Sequence, residues 1–275
     1  MSWVRAVAAL RASRTPGVLV TVSAVRGHAP REAGAKLVVS AERTWGSVGG
    51  GNLEETAIER ARAMLASGAL ASAEPESVVS SLSDKARTDH GRQCCGGEVT
   101  LLLEPLPVVP AVAVFGLGHV GLELARLLSR HDLDLHFVDS RATQVDAVRD
   151  HPALADAVAE VQAHHAPLPE VALGALPRGS HVLVLTHDHA EDFALCDAAL
   201  RMPGHLASVG VIGSSAKWTR FERGLLLEGH DPATVATIRC PIGQPGGLGG
   251  KAPAVIALGV VADLLGVLAL DGSVR

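Results

Sequence analysis

Residues 111–121 read AVAVFGLGHVG, and this stretch decides the fold of the second half of the chain. Its first five residues are apolar and predict a buried strand, and the glycines after them have the spacing G-x-G-x-x-G. Gly116 permits a tight turn, Gly118 lets the backbone approach a ligand, and Gly121 allows the next helix to pack closely. The stretch therefore predicts a strand, a glycine turn and a helix, in that order.

The residues that follow repeat this alternation of strands and helices. A second apolar run at 133–138 ends in Asp139, and further runs at 181–185 and 208–212 each lead into a helical segment. Buried apolar strands separated by helices indicate a parallel sheet that is covered on both faces. We therefore predict an α/β fold in which a short parallel sheet, of about four strands, forms the second domain.

The glycine turn and the strand ends beside it are candidates for ligand binding. Free N–H groups at the start of the helix can bind a pyrophosphate, and Asp139 can hold the hydroxyls of a ribose. The same carboxylate repels a 2′-phosphate, although Arg141 can offset that charge. The alternative is that the glycines only close a strand–helix turn in a sheet that binds nothing.

A later segment places two histidines at the same edge of the predicted sheet. His187 and His189 belong to THDHAED (186–192), which leaves the end of a parallel strand, where such sheets bind ligands. We interpret them as polar ligand contacts or as part of a helix cap. A metal site is the weaker hypothesis, because no further ligand set is evident, and we assign no metal ligand.

Composition narrows the class of partner. The chain has 275 residues, a formal net charge of -5 and 3% aromatic residues. Nucleic-acid binding needs clustered basic charge and stacking aromatics, so we expect no nucleic-acid partner. Residues 253–270 are apolar except for Asp263, whose carboxylate is costly in lipid, so we expect a buried terminal helix and no membrane span. Because no export signal is visible at the N-terminus, the expected location is cytoplasmic.

The stretch EPLPVVP (104–110) marks the expected domain boundary. Its three prolines can continue neither a helix nor a central strand. We therefore predict an N-terminal α+β domain at 1–104, a linker at 105–110 and the domain with the parallel sheet at 111–275. Within the first domain, β-branched and apolar runs predict strands at 17–25, 35–40 and 98–104.

A glycine run at 49–51 precedes the best-marked helix of the first domain. Asn52 can cap this helix, with Glu55 three residues on, as in a capping box. Successive N–H groups at a helix N-terminus can bind an anion, with which Glu54 and Glu55 would compete. Alternatively, the run is a turn that needs positive φ, and the two carboxylates complement the helix dipole.

The segment QCCGG (93–97) is the other concentrated chemical signal in this domain. Cys94 and Cys95 are thiols on an approachable backbone, which suits a nucleophile, a persulfide carrier or a soft metal ligand. Alternatively, they are small buried residues in a turn, as we expect for Cys196 and Cys240. A disulfide framework is not expected in a reducing compartment.

Several segments occur in an order that is typical of one family. In the first half they are GHAPREAGA (27–35), GSVGGGNLE (46–54) and QCCGG (93–97). In the second half they are 115–121, 139–141, 185–189, 212–217, 241–243 and 250–253. Together they resemble the XdhC/CoxI family, accessory proteins of xanthine dehydrogenase and related molybdenum hydroxylases. The chain departs from the family pattern at His28, where the usual residue is serine.

The resemblance implies a task and a cargo. Such a protein binds molybdenum cofactor (molybdopterin carrying molybdenum) and protects it, in a cleft between the domains, while a cysteine desulfurase adds the sulfido ligand. It then inserts the cofactor into apo-xanthine dehydrogenase or a related hydroxylase, without turnover chemistry of its own. A homodimer and a nucleotide in the Rossmann-like second domain are further expectations. The alternative is an NAD(P)-dependent oxidoreductase that uses this Rossmann-like domain.

The candidate site residues fall into two groups. By resemblance, the first domain is expected to hold the cofactor with Arg31, Gly49, Gly50, Gly51, Glu54 and Cys95, with Cys94 as the second thiol. In the second domain the candidates are Gly116, Gly118, Gly121, Asp139, His187, His189, Ser214 and Lys217.

Overall fold

The chain folds into two compact units, each with its own five-stranded sheet. The first unit is Met1–Val109 together with Ala269 and Leu270, and the second is Pro110–Leu268, so the division after Val109 falls within the predicted linker. The residues that the computed structural model describes are 1–67, 70–82, 96–243 and 250–270.

The first unit is an antiparallel sheet covered by a helix. Its elements are α1 (Trp3–Ala12), β1 (Gly17–Arg26), β2 (Lys36–Val39), β3 (Thr44–Gly46), α2 (Gly51–Ala66), β4 (Glu76–Ser81) and β5 (Glu98–Leu106). The strand order is β3-β2-β1-β5-β4. Alternate residues of β5 are buried, and they share a core with Leu53, Ala57 and Ile58 of α2. This is the predicted α+β architecture.

Strand β5 runs further than predicted. It continues through Pro105 to Leu106, although the prolines predicted that the strand would end at residue 104. Pro105 lies opposite Val18 of β1, but the pairing with β4 ends at Leu103. Beyond Leu103 the strand has a neighbour on one side only, and at such an edge position a proline costs no ladder hydrogen bond.

The second unit is a parallel sheet with helices between its strands, and this confirms the predicted Rossmann-like fold. Its elements are β6 (Ala111–Phe115), α3 (His119–Leu128), β7 (Asp134–Asp139), α4 (Ala142–Arg149), β8 (Glu160–His165), α5 (Pro169–Ala172), β9 (Ser180–Val184), α6 (His189–Leu200), β10 (Leu206–Val211), α7 (Ser215–Leu227), α8 (Pro232–Val235) and α9 (Pro253–Leu270). The strand order is β10-β9-β6-β7-β8. The chain order reverses direction at β6, and open sheets of this kind bind ligands at the carboxyl ends of the strands beside such a point.

The sheet has five strands, and the sequence analysis missed β8. This strand contains His164 and His165 and pairs with β7 at the edge of the sheet. Its residues are exposed or only half-buried, because an edge strand has a neighbour on one side and is poorly covered. A polar sequence such as EVQAHH lacks the continuous apolar run that marks the central strands.

The apolar stretch near the C-terminus forms helix α9. Ala257, Val260, Leu264 and Leu268 are buried along one side of the helix. The carboxylate of Asp263 accepts a hydrogen bond from the backbone N–H of Gly243 at 3.1 Å, which gives the one acidic group of this helix a structural partner. Among the residues described, no helix is both long enough and apolar enough to cross a bilayer.

Candidate functional site

The glycine turn after β6 has the geometry that its spacing predicts. Gly116 has a φ of +104°, and a Cβ there would lie 2.2 Å from the carbonyl oxygen of Leu185. A Cβ on Gly121 would lie 2.2 Å from the carbonyl oxygen of Gly116. A Cβ on Gly118 would meet no atom of the described part of the chain within 4 Å. The turn and the close helix packing therefore require two of the glycines, while the third leaves open space at the start of α3.

A crevice of about 510 Å³ lies at this turn, at the carboxyl ends of the central strands. Its lining comes from the first turn of α3, from α4 and from the segments that follow β9 and β10. The first N–H groups of a helix have no partner within the helix and attract anions. The residues that line it are Gly118, His119, Val120, Gly121, Leu122, Arg141, Gln144, Leu185, Thr186, His187, Ile212 and Pro253.

Asp139 ends β7 and is almost completely buried, with 3% of its surface exposed. Its Oδ1 accepts hydrogen bonds from the backbone N–H and Nε of Arg141, both at 2.9 Å. Its Oδ2 accepts from the backbone N–H of Leu117 at 2.6 Å and from Nη2 of Arg141 at 2.9 Å. Burial alone would raise the pKa of Asp139, but the hydrogen bonds from Arg141 and Leu117 hold it below its ordinary value. The predicted contact with ribose hydroxyls needs a free acceptor, and here both oxygens already have donors.

Lys217 does not extend into the crevice as a free cation. Its Nζ donates to Oδ2 of Asp192 and, at 2.9 Å, to the carbonyl oxygen of Ile212, and its side chain is 10% exposed. Ser214 caps helix α7, because its Oγ accepts from the backbone N–H of Lys217 at 3.2 Å. The charge of Lys217 is therefore already neutralised inside the unit, and the role of this residue in holding a cofactor stays a prediction.

The sequence analysis missed Asp192, the partner of Lys217. Its side chain is 1% exposed, and its Oδ1 accepts from the backbone N–H and hydroxyl of Thr186 at 3.0 and 2.7 Å. The pair thus holds Thr186 at the wall of the crevice. The sequence did contain a signal for this pair. An acid lies in the first turn of the helix after β9 and a lysine lies in the helix after β10, and these two strands are neighbours in the sheet.

The two histidines after β9 have different positions. His187 lines the crevice, and its Nδ1 lies 3.8 Å from Oε2 of Glu191. His189 begins α6, is exposed and does not line the crevice. The cap of α6 is Asp188, whose Oδ1 accepts from the backbone N–H of Ala190 at 2.7 Å. In the described part of the chain no three histidine, cysteine or acidic side chains lie close enough to hold a metal ion.

In the first unit, the connection between β1 and β2 contacts two other glycine-containing loops. A Cβ on Gly97 would lie 2.1 Å from the carbonyl oxygen of His28, and one on Gly49 would lie 2.5 Å from Cγ of Pro30. The connection between β1 and β2 therefore packs against both the entry to β5 and the loop before α2. Arg31 follows in the same connection; it is exposed and has no hydrogen bond or ion pair with a described residue.

The N-terminus of α2 is occupied by a side chain of the protein itself. Oε2 of Glu54 accepts hydrogen bonds from the Ser47 hydroxyl at 2.5 Å and from the backbone N–H groups of Val48 and Gly50 at 3.1 and 3.2 Å. The helix begins at Gly51, with Gly50 as its N-cap, so the prediction that Asn52 caps it was wrong. A carboxylate reaches back over the turn and binds where the sequence suggested an external anion.

The conformation of the glycine run explains its composition. Residues 49–51 all have positive φ, at 138°, 73° and 58°, where side chains with a Cβ are strained. The turn interpretation of this run is therefore confirmed. A Cβ on Gly50 or Gly51 would meet no atom of the described residues within 4 Å, so those residues leave the surface above the turn open.

Comparison with known proteins places the chain in a family. Residues 112–264 match the family model described as the XdhC Rossmann domain, and residues 10–72 match that of the XdhC and CoxI family. The first match alone spans more than half of the chain. The chain belongs to the XdhC and CoxI family.

Individual relatives of this XdhC-family chain are distant. YqeB from Escherichia coli (strain K12), described as an uncharacterized protein, is 24% identical over 270 residues. The match covers 94% of this chain and 45% of YqeB, so the chain spans less than half the length of that relative. A crystal structure described as a xanthine dehydrogenase from Bacillus halodurans is 19% identical, covers 98% of this chain and 96% of that one, and has a TM-score of 0.47.

The cysteines of this XdhC-family protein fall into two groups. Cys94 and Cys95 lie outside the described residues and directly precede Gly96 in the chain. Cys196 is buried in the core of the second unit, as expected, and burial raises the pKa of its thiol to about 12. Cys240 is half-buried, and burial raises its pKa as well. Since the thiolate is the nucleophile, neither thiol of the second unit is poised for chemistry.

We expect Cys196 of the folded protein to react with iodoacetamide at pH 8 roughly a thousandfold more slowly than in the unfolded chain, because its thiolate fraction is so small. Cys240 should also react more slowly when folded. Peptide mass spectrometry of time points with and without urea measures both rates. Equal rates in the folded and unfolded protein would contradict the assignment of Cys196 to the core.

Proposed function

We propose that this protein binds molybdenum cofactor, protects it during sulfuration by a cysteine desulfurase, and delivers it to apo-xanthine dehydrogenase or a related molybdenum hydroxylase. The single observation that carries the proposal is the contact between three loops at one end of the first sheet. These loops contain His28 and Pro30, Gly49, and Gly97, and each of the segments GHAPREAGA, GSVGGGNLE and QCCGG resembles a signature of the family.

The contacts in the first unit explain how such a site would keep its shape. Gly97 lets two backbone segments approach closely, and Gly49 lets the ring of Pro30 pack against the loop before α2, at separations that leave no room for a Cβ. Glu54 ties the loop before α2 together through three hydrogen bonds, so its role is to position the loop and not to hold cargo directly. The exposed guanidinium of Arg31 is the group best suited to an anionic guest, since it has no bond to a described residue.

The crevice of the second unit gives separate support to the same task. Molybdopterin carries a phosphomonoester, and the crevice at the glycine turn combines the N-terminus of α3 with the guanidinium of Arg141. A phosphate is therefore the kind of group that this crevice fits best.

Pterin retention tests the proposal. The full chain, purified from a host that makes molybdopterin, is expected to retain a stoichiometric amount of pterin, measured as the fluorescence of the oxidised product after release. Cys95→Ala and Glu54→Gln are expected to lower retention several-fold, because the first removes a candidate ligand thiol and the second loosens the loop that Glu54 ties.

The matched control is Glu55→Gln, which neutralises the neighbouring exposed carboxylate of the same helix without touching the loop. This variant should retain pterin like the unaltered protein. Absence of pterin from the unaltered protein would reject the proposal, and full retention by Cys95→Ala would remove that thiol from the site.

The second candidate function is an NAD(P)-dependent oxidoreductase, which the crevice at the glycine turn favours. The hydrogen-bonded carboxylate of Asp139 speaks against NAD⁺ as the cofactor, since such an acid normally binds the free ribose hydroxyls of NAD⁺. Absence of any NADH oxidation by the purified protein, over a panel of carbonyl substrates, would eliminate this candidate. The homodimer and the cytoplasmic location stay predictions.

A further inference from the structure

We infer that the crevice of the second unit selects a phosphomonoester over a ribose diol, and that Arg141 sets this choice. The inference rests on the proposed function in one respect, namely that this unit takes the phosphate-bearing part of a guest. It goes further by naming the chemical group that is recognised and the residue that distinguishes it from its nearest competitor.

The carboxylate that could accept hydrogen bonds from a ribose already has donors within the protein. A ribose diol presents two hydroxyl donors, and in dinucleotide-binding sheets they need the carboxylate at the end of the second strand. Here that carboxylate is Asp139, and Arg141 covers it with Nε, Nη2 and its own backbone N–H, while Leu117 takes the remaining position. A diol could bind only by displacing a bidentate guanidinium from a buried acid, which is a strong charge-assisted pair.

The wall of the crevice offers hydrogen-bond donors to a ligand. Nη1 of Arg141 has no hydrogen-bond partner among the described residues, and the side chain is 34% exposed where it lines the crevice. The same lining contains the Thr186 hydroxyl, the Gln144 amide and the first turn of α3. A phosphomonoester is all acceptor, so it matches a wall that offers N–H and O–H groups.

The charged groups described at the crevice are Arg141, its partner Asp139 and the nearby Glu191. The hydrogen bond to Asp139 raises the pKa of Arg141, and the charge of Glu191 adds to that shift, so the guanidinium stays protonated. Glu191 is the acid beside the crevice that opposes an anion, and its Oε2 lies 3.8 Å from Nδ1 of His187. The Arg141–Asp139 pair carries no net charge, so what the crevice offers an anion is the N–H donors of Nη1 and the dipole of α3.

The local fold keeps Arg141 in this position. It is the N-cap of α4 with an extended backbone (φ −105°, ψ 116°), and its N–H is bonded to Asp139 two residues earlier. The turn between β7 and α4 is therefore closed by the same carboxylate that the side chain covers. This makes the guanidinium a built part of the wall and not a side chain that extends into solvent.

The experiment compares two dinucleotides that differ only in a 2′-phosphate. Isothermal titration of the full chain with NADP⁺ and NAD⁺ is expected to show that NADP⁺ binds at least about tenfold more tightly. Arg141→Ala should weaken NADP⁺ binding by about tenfold and strengthen NAD⁺ binding, because Asp139 becomes free to accept the ribose hydroxyls. Arg141→Lys keeps the charge without the planar fork and should lie between the two.

The matched control is Arg149→Ala, which removes an exposed arginine of the same helix that pairs with Asp146 at 3.0 Å. Both affinities should be unchanged in this variant, and circular dichroism should show all variants folded. The inference would be overturned if the unaltered protein bound NAD⁺ more tightly than NADP⁺, or if it bound neither dinucleotide. It would also be overturned if Arg141→Ala kept the preference for NADP⁺.

Two further arms identify the source of the phosphate. If the guest is the pterin phosphate, protein loaded with pterin should bind NADP⁺ more weakly than pterin-free protein. If it is a nucleotide, the two preparations should bind alike; either result supports phosphomonoester recognition. A protein that retains pterin but does not prefer NADP⁺ would reject this inference alone, so its failure is distinguishable from that of the proposed function.

Discussion

Replacement of Gly121 by alanine is expected to destabilise the second unit by about 3 kcal/mol, because the new Cβ would lie 2.2 Å from the carbonyl oxygen of Gly116. That oxygen belongs to a tight turn with a φ of +104°, so it cannot move without opening the turn. The alternative is that α3 shifts away from β6, which exposes the core beneath it. Thermal unfolding and hydrogen exchange of the β6 and α3 amides measure the loss.

The matched variant at the same turn is Gly118→Ala. Its Cβ would meet no atom within 4 Å, and its φ of −73° suits any residue. The expected change in stability is below about 1 kcal/mol, since alanine is only a slightly poorer N-cap than glycine. If both variants lost the same stability, the steric account of the glycine spacing would be wrong.

Removal of Asp192 alone is expected to cost about 3–5 kcal/mol, because it leaves the nearly buried ammonium of Lys217 without its counter-ion. It also removes the acceptor for the backbone N–H and hydroxyl of Thr186. Asp192→Ala should therefore lower the melting temperature by about 6–15 °C, measured by circular dichroism.

A double-mutant cycle separates the pair from simple loss of packing. Asp192→Ala combined with Lys217→Met removes both charges, and we expect it to be more stable than Asp192→Ala alone, with a coupling of about 1–3 kcal/mol. Arg201→Ala is the control on the same helix, where an exposed pair with Asp197 should cost less than about 1 kcal/mol. Additive effects of the two changes at Asp192 and Lys217 would show that the charges do not stabilise each other.

Local patterns predicted the elements whose formation depends on neighbouring residues. The strand, turn and helix at 111–121 follow from an apolar run and from sterics that only glycine satisfies. Strand β8 escaped prediction because an edge strand buries little, and its residues carry no apolar pattern. Strand β5 was drawn too short at Pro105, because the rule against proline applies to positions with neighbours on both sides.

The sequence predicted which segments form the candidate sites more accurately than it predicted the hydrogen bonds that each residue makes there. The glycine turn after β6 and the histidine segment after β9 do meet at one crevice, because the carboxyl ends of parallel strands lie at one edge of a sheet. The role of Glu54 was open in the sequence, since a carboxylate at a helix start can either repel an anion or take its place. In the structure this carboxylate accepts hydrogen bonds from the loop before α2, through the backbone N–H groups of Val48 and Gly50.

The amino-acid sequence was enough to predict the family, the two-part architecture and the positions where only glycine fits. These features depend on residue type and on interactions along the chain. Which charged groups neutralise one another was decided by the tertiary structure alone. Asp192 and Lys217 lie on helices that follow different strands, and they meet only because β9 and β10 are neighbours in the sheet. Partners that are distant in sequence become visible only when the sheet is assembled.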